Sequence, residues 1–191
     1  MFSLLAPLDE DVRLLVAAQK ALPFSYPDPG ATRTGAVPEG FHPLHHRIRL
    51  GSGAEAFRRA RYALQSWKMF KMPWVRLYWL DVQQQPGEVV IVAARVAGLW
   101  TLNASRVVYA LDQPGAVETF GFAYGTLPEH VERGEERFLV QWDHADDSVW
   151  YDLLSFSRPG HPLVRLGGPM VRSLQRRFAQ GSLAAMKAVC G

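Results

Sequence analysis

The residues with the most chemistry to offer lie between Phe120 and Pro159, in the runs FGFAYGTLPEH, GEERFLVQW and VWYDLLSFSRP. They read as strands, yet they carry tyrosines, tryptophans, paired glutamates and an arginine where a plain sheet manages with Val, Ile and Thr. Alternation by two puts Phe120, Phe122, Tyr124 and Thr126 on one strand face. Glu136, Phe138, Val140 and Trp142 share a face of the next strand in the same way. Turned inward, these faces line an aromatic cavity with one carboxylate, although the same rings also serve as core filling. Tyr124 is the stronger site residue, because Gly121 and Gly125 beside it admit a close approach of backbone or ligand.

Glu135 and Glu136 are adjacent, so they point to opposite faces and cannot be the paired carboxylates of a glycosidase. One is solvated; the other, if buried, needs a partner, for which Arg106, Arg158 and Arg177 are available. It is then half of a structural ion pair or a general base. Asp152, on one face with Trp150, Leu154 and Phe156, raises the same question. His130 sits in the loop TLPEHVERGEE, suited to proton shuttling, to metal ligation or to a plain surface turn. His42, His45 and His46 have no zinc-ligand spacing. No phosphate-binding loop, dinucleotide fingerprint, HExxH or GxSxG occurs. Ser155 and Ser157 have no His and Asp partners in pattern, which leaves nucleophilic catalysis unsupported. The ligand-binding set is therefore Tyr124, Glu136, Arg177, Arg106, Phe122, Trp150, His130 and Arg158, with no catalytic residue assigned and no metal or cofactor called for.

The elements that must position these side chains follow from periodicity. Leu8 to Leu22 reads as a short helix between Pro7 and Pro23, with Asp9, Glu10 and Asp11 in its first turn. The Pro- and Gly-rich stretch SYPDPGATRTGAVPEGF then wraps the domain. His45–Leu50 is a strand. Ser52 opens a second helix through a capping box with Glu55, and Phe57, Ala60, Leu64 and Trp67 recur at helical spacing. Seven short strands follow: Val75–Leu80, Glu88–Val96, Leu99–Leu102, Arg106–Leu111, Thr119–Thr126, Glu136–Trp142 and Val149–Phe156. The turns between them, NAS among them, are too tight for parallel crossovers. From Pro162 to about Val189 runs a long amphipathic helix, which Gly167, Gly168, Pro169 and Gly181 interrupt or kink. Its apolar face carries Leu163, Leu166, Met170, Leu174, Phe178 and Ala185, with Arg177 beside the stripe.

The expected architecture is α+β: a curved antiparallel sheet of about six or seven strands gripping a long C-terminal helix. All 191 residues fit one domain, with residues 1–24 as an N-terminal helical extension and 25–188 as the main body. Hydrophobic residues at 48% and charged residues at 20% exclude wholesale disorder. One cysteine, no basic leader and no bilayer-length apolar run point to a cytoplasmic protein without a transmembrane segment. Net charge is +3, yet no acidic side chain follows Asp152. The cationic tail, with Arg165, Arg172 and Arg176, is a solvated face or a footprint for an anionic partner or membrane surface. Nucleic acid is an unlikely partner, because the basic stripe is short and carries no interleaved aromatics.

The motifs YPDPGATRTG, PEGF, GLW, RVVYALD, FGFAYGTLPEHVERGEERF, SVWYDLLSFSRP and RLGGPMVRSLQRRF occur in that order between about Tyr26 and Met186. In this the chain resembles the domain-of-unknown-function family nineteen-ninety. That family is similar to the START-like, Bet v 1-like group with the helix-grip fold. The resemblance implies a fold and no settled activity, since the wider group includes carriers, cyclases, co-chaperones and hydrolase-like members. Three functions remain open. The first is binding or carriage of a hydrophobic or aromatic small molecule between sheet and last helix. The second is acid/base catalysis in the same cavity, with Glu136 or His130 as proton carrier. The third is an interaction module using the arginine face.

Overall fold

The computed structural model describes residues 2–78, 83–161 and 168–190. The strands are β1 (Phe2–Ser3), β2 (His42–Ser52), β3 (Val75–Tyr78), β4 (Val89–Val96), β5 (Leu99–Gln113), β6 (Val117–Thr126), β7 (Glu132–Asp143) and β8 (Ser148–Pro159). The helices are α1 (Asp9–Gln19), α2 (Gly53–Gln65) and α3 (Gly168–Cys190). Seven strands form a curved antiparallel sheet in the order β2-β8-β7-β6-β5-β4-β3, and β1 adds to β5. Among the described residues no helix is long and apolar enough to cross a membrane.

Two elements differ from the sequence expectation. Asn103-Ala104-Ser105 is no turn, because β5 runs unbroken through it. The Asn103 amide is satisfied within the sheet, donating to the Val92 carbonyl at 3.0 Å and to Thr101 Oγ1 at 3.1 Å. Its polar side chain therefore does not pull the backbone out of the ladder. The capping box at α2 also does not form. Ser52 Oγ accepts from Arg49 Nη2 at 2.9 Å, and Glu55 turns outward to Arg58 at 2.7 Å.

Both faces of the sheet are covered. On the inner face, Phe57, Ala60 and Leu64 of α2 pack with Trp67, Met69 and Phe70 against Phe122, Phe138, Val140, Tyr151 and Leu153. The chain leaves α2 through Trp67, whose φ of 54° is the left-handed conformation that turns the next residues across the sheet. On the outer face, Val12 and Leu15 of α1 pack with Ile91, Ala93, Leu102 and Ala104. Behind them Tyr26 and Phe41 of the Pro/Gly-rich stretch close on Phe156.

Helix α3 divides into two halves. Toward its C-terminus Ala179, Ser182, Met186 and Cys190 are buried on the inner face. Gly181 does not break it; a side chain there would meet Met72 Sδ at 2.4 Å, so the glycine lets the helix settle onto the turn after α2. The N-terminal half stands off the sheet. Of the residues expected in this element, Leu163, Arg165, Leu166 and Gly167 lie outside the described residues.

Candidate functional site

The space under the N-terminal half of α3 is a cavity of about 630 Å³. Its walls are apolar: Leu44, Trp74, Val75, Val92 and Val96 from the sheet side, and Val171, Leu174 and Phe178 from the helix. The cavity exists because α2 and Phe70 fill the sheet's concavity at one end only. At the other end β4 and β5 present Ala94, Thr101 and Asn103, too small to reach the helix.

Polar groups enter from β6, β7 and their connecting loop. Tyr124 donates to Glu136 Oε2 at 2.7 Å, the two facing one another across the β6–β7 pair. Burial pushes the Glu136 carboxyl up to about 7, Tyr124's hydrogen bond pulls against that rise, and Glu132 adds to it. The Tyr124 hydroxyl is pushed well up by burial and then by Glu136. Glu132 lies on the same face of β7, with Gly134 between, and burial raises it too. Gln175 of α3 donates to Glu132 Oε1 and to Ser157 Oγ, both at 2.9 Å, so this carboxyl ties helix to sheet. His130 Nδ1 accepts the Glu132 amide at 3.0 Å, and burial holds the ring at about 4, so at neutral pH its proton sits on Nε2. Among the described residues no cluster of three or more His, Cys, Asp or Glu is placed to hold a metal ion.

Of the eight residues singled out in the sequence, Tyr124, Glu136 and His130 line this cavity. Phe122 is fully buried in the core between Trp67 and Phe138. Trp150 lies against Arg47 on the outer face. The arginines spend their charge on rings and carbonyls: Arg106 on Phe24 and the carbonyls of Lys20 and Leu22, Arg158 on Phe41, Arg177 on Trp74. None of these five lines the cavity, and the three arginines do not pair with Glu135 or Glu136. Arg172 and Arg176 are exposed on α3. Glu132 and Gln175 are absent from the sequence-derived set: that reading begins the strand at Glu136, and strand alternation carries no signal for Gln175 on α3. Alternation carried back across Gly134 reaches Glu132.

Glu135 has partners of another kind. Its carboxylate, 2% exposed, accepts from Tyr26 Oη and the Gly30 amide at 2.6 Å each, from the Thr32 amide at 3.0 Å, and from the Thr32 hydroxyl. Arg137, two residues on, donates to the Thr32 carbonyl at 2.8 Å and to Asp152 Oδ1 at 2.8 Å. His45 meets the other Asp152 oxygen at 2.7 Å. The wrapping stretch is thus bolted to the outer face of β7 by YPDPGATRTG and GEERF together. What approaches Gly125 is the Tyr26 ring: a side chain at Gly125 would meet Tyr26 Oη at 2.1 Å. Gly125→Ala therefore unseats Tyr26 and lowers stability by about 2–3 kcal/mol, read from the urea midpoint at constant slope. A change below about 0.5 kcal/mol would mean that the ring is not held there.

A family model described as Domain of unknown function (DUF1990) matches residues 25–185. A UPF0548 protein of Dictyostelium discoideum is 34% identical over 209 residues, spanning 100% of this chain and 96% of its own. A UPF0548 protein of Deinococcus radiodurans is 36% identical over 190 residues, spanning 94% of each. Among solved structures, Ara h 8.0201 superposes with a TM-score of 0.51 at 14% identity, over 79% of this chain and 98% of its own. Human STARD10 superposes at 0.50 with 12% identity, over 97% of this chain and 80% of its own. At such identities the likeness is one of fold, the Bet v 1-like and START-like helix-grip architecture.

Proposed function

The chain belongs to the DUF1990 family, and from that premise we propose that it binds or carries an apolar small molecule between the sheet and α3. The observation that carries this reading is the stand-off of the helix. Its C-terminal half packs on the core in the ordinary way, while its N-terminal half roofs about 630 Å³ of space walled by apolar side chains. That volume falls in the range of small-molecule sites, and an apolar lining with a few placed polar groups is their usual composition. Empty space of this size in a core forfeits packing, a loss that bound ligand would offset.

The test is displacement of substance from the cavity without damage to the fold. Solvent extraction or native mass spectrometry of the purified protein should release an apolar compound, and the uncharged dye Nile red should bind the stripped protein. Leu174→Trp, which thrusts an indole into the space from α3, should abolish both while the unfolding midpoint stays near that of the parent. Absence of both co-purified compound and dye binding in the parent protein would sink the reading.

A further inference from the structure

We propose that the ligand's polar end is a protonated amine, seated against the Glu136 carboxylate beside Tyr124; this rests on the binding reading above. Among the described residues that line the cavity there is no Lys or Arg, and the ionisable side chains that face it are Glu132, Glu136, His130 and Tyr124. Of the nearby arginines, Arg106 and Arg158 stack on Phe24 and Phe41, and Arg177 stacks on the wall residue Trp74 without itself lining the cavity. A fatty carboxylate would therefore meet like charge and no counter-ion among the described lining residues, an arrangement that disfavours it.

The hydrogen bonds sharpen the choice. Tyr124 spends its single proton on Glu136 Oε2, and Glu136 receives no other hydrogen bond from a described residue. The pair thus offers acceptors to the cavity, and an ammonium is all donor. Glu132 is already committed to Gln175 of α3, which donates to its Oε1 at 2.9 Å, so Glu136 is the carboxyl left with acceptor capacity for a guest. His130 gives its Nδ1 lone pair to the Glu132 amide and stays neutral, so it brings no positive charge against the amine. The titratable groups facing Glu136 are Tyr124 from β6, Glu132 from β7 and Tyr151 from β8. None is cationic. A carboxyl that burial discourages from ionising regains its charge most readily when the guest supplies the counter-charge.

Three probes with one twelve-carbon tail test this by competition with Nile red at pH 8, below their micellar concentrations: dodecylamine, dodecanol and dodecanoate. Dodecylamine should compete about tenfold or more better than dodecanoate, and better than dodecanol. Its apparent affinity should fall by about tenfold per pH unit below about 7, as the Glu136 carboxyl takes up its proton. Glu136→Gln should collapse the preference for amine over alcohol to within about threefold. Equal competition by all three, or a lead for dodecanol or dodecanoate, would overturn the amine while leaving apolar binding intact. Failure of Nile red itself to bind would overturn both.

Discussion

Glu135→Ala should cost the fold about 3–5 kcal/mol, a large share of the stability of a domain of this size. The carboxylate gathers four donors from Tyr26, Gly30 and Thr32, and it is a main point at which the wrapping stretch is held to the sheet, beside the Arg137 bond to the Thr32 carbonyl. Truncation leaves two backbone amides and a phenol buried without an acceptor, and each such group costs about 1–3 kcal/mol before water or repacking relieves it. Glu135→Gln keeps one acceptor but sets an NH₂ against donors, so it should fall between parent and Ala. Tyr26→Phe removes one bond and should cost about 1–2 kcal/mol. Urea unfolding at constant slope measures all three. A loss below about 1 kcal/mol for Glu135→Ala would mean that the network is ornamental to stability.

Glu136→Gln should do the opposite above neutrality. The folded protein holds this carboxyl up to about 7 from an ordinary 4.5, so between those values the folded state binds more protons than the unfolded one. Stability contributed by the neutral form is therefore full below about 4.5 and lost as pH rises through about 7. At pH 8 the charged, desolvated carboxylate burdens the fold by about 2–3 kcal/mol, less than the whole shift implies because the group faces open cavity. Gln has no charge to bury and can still accept from Tyr124. It should stabilise at pH 8 by about that amount and by little at pH 5. His130, held at about 4 from 6.5, works with the reverse sign: its neutral form favours the fold above 6.5, and that contribution is lost as pH falls toward 4. The two slopes oppose one another between about 4.5 and 6.5. His130→Asn should expose the Glu136 slope and Glu136→Gln the His130 slope, in denaturation series across that range. Parallel pH profiles for parent and Glu136→Gln would contradict this account.

The strand and helix order was legible because a bounded apolar run marks β4, alternation by two survives in β6, and recurrence at helical spacing survives in α2. Asn103 misled because its preference for turns is a statement about unpaired side chains, and here the Val92 carbonyl pairs it. The inward face of β6 and β7 could be read as far as Tyr124 and Glu136. The partner of Glu135 could not, since two of its donors are backbone amides of Gly30 and Thr32, positioned by the fold of a loop and by no pattern of side chains. The arginines misled for a related reason. A guanidinium satisfies itself on ring faces and carbonyls as readily as on acids, and sequence records the charge without the choice.

Tyr124 stands opposite Glu136 in the β6–β7 ladder, and Gly125 stands opposite Glu135, so one two-residue rung bears the cavity's polar pair inside and the wrapping stretch's anchor outside. Shift β7 by one residue and every side chain on it changes sides. Glu135 and Arg137 would enter the oily interior without their companions, and Phe138 would leave the core for the outer face. A misaligned β6–β7 pair is thereby made costly from both sides at once, which favours a single register for it.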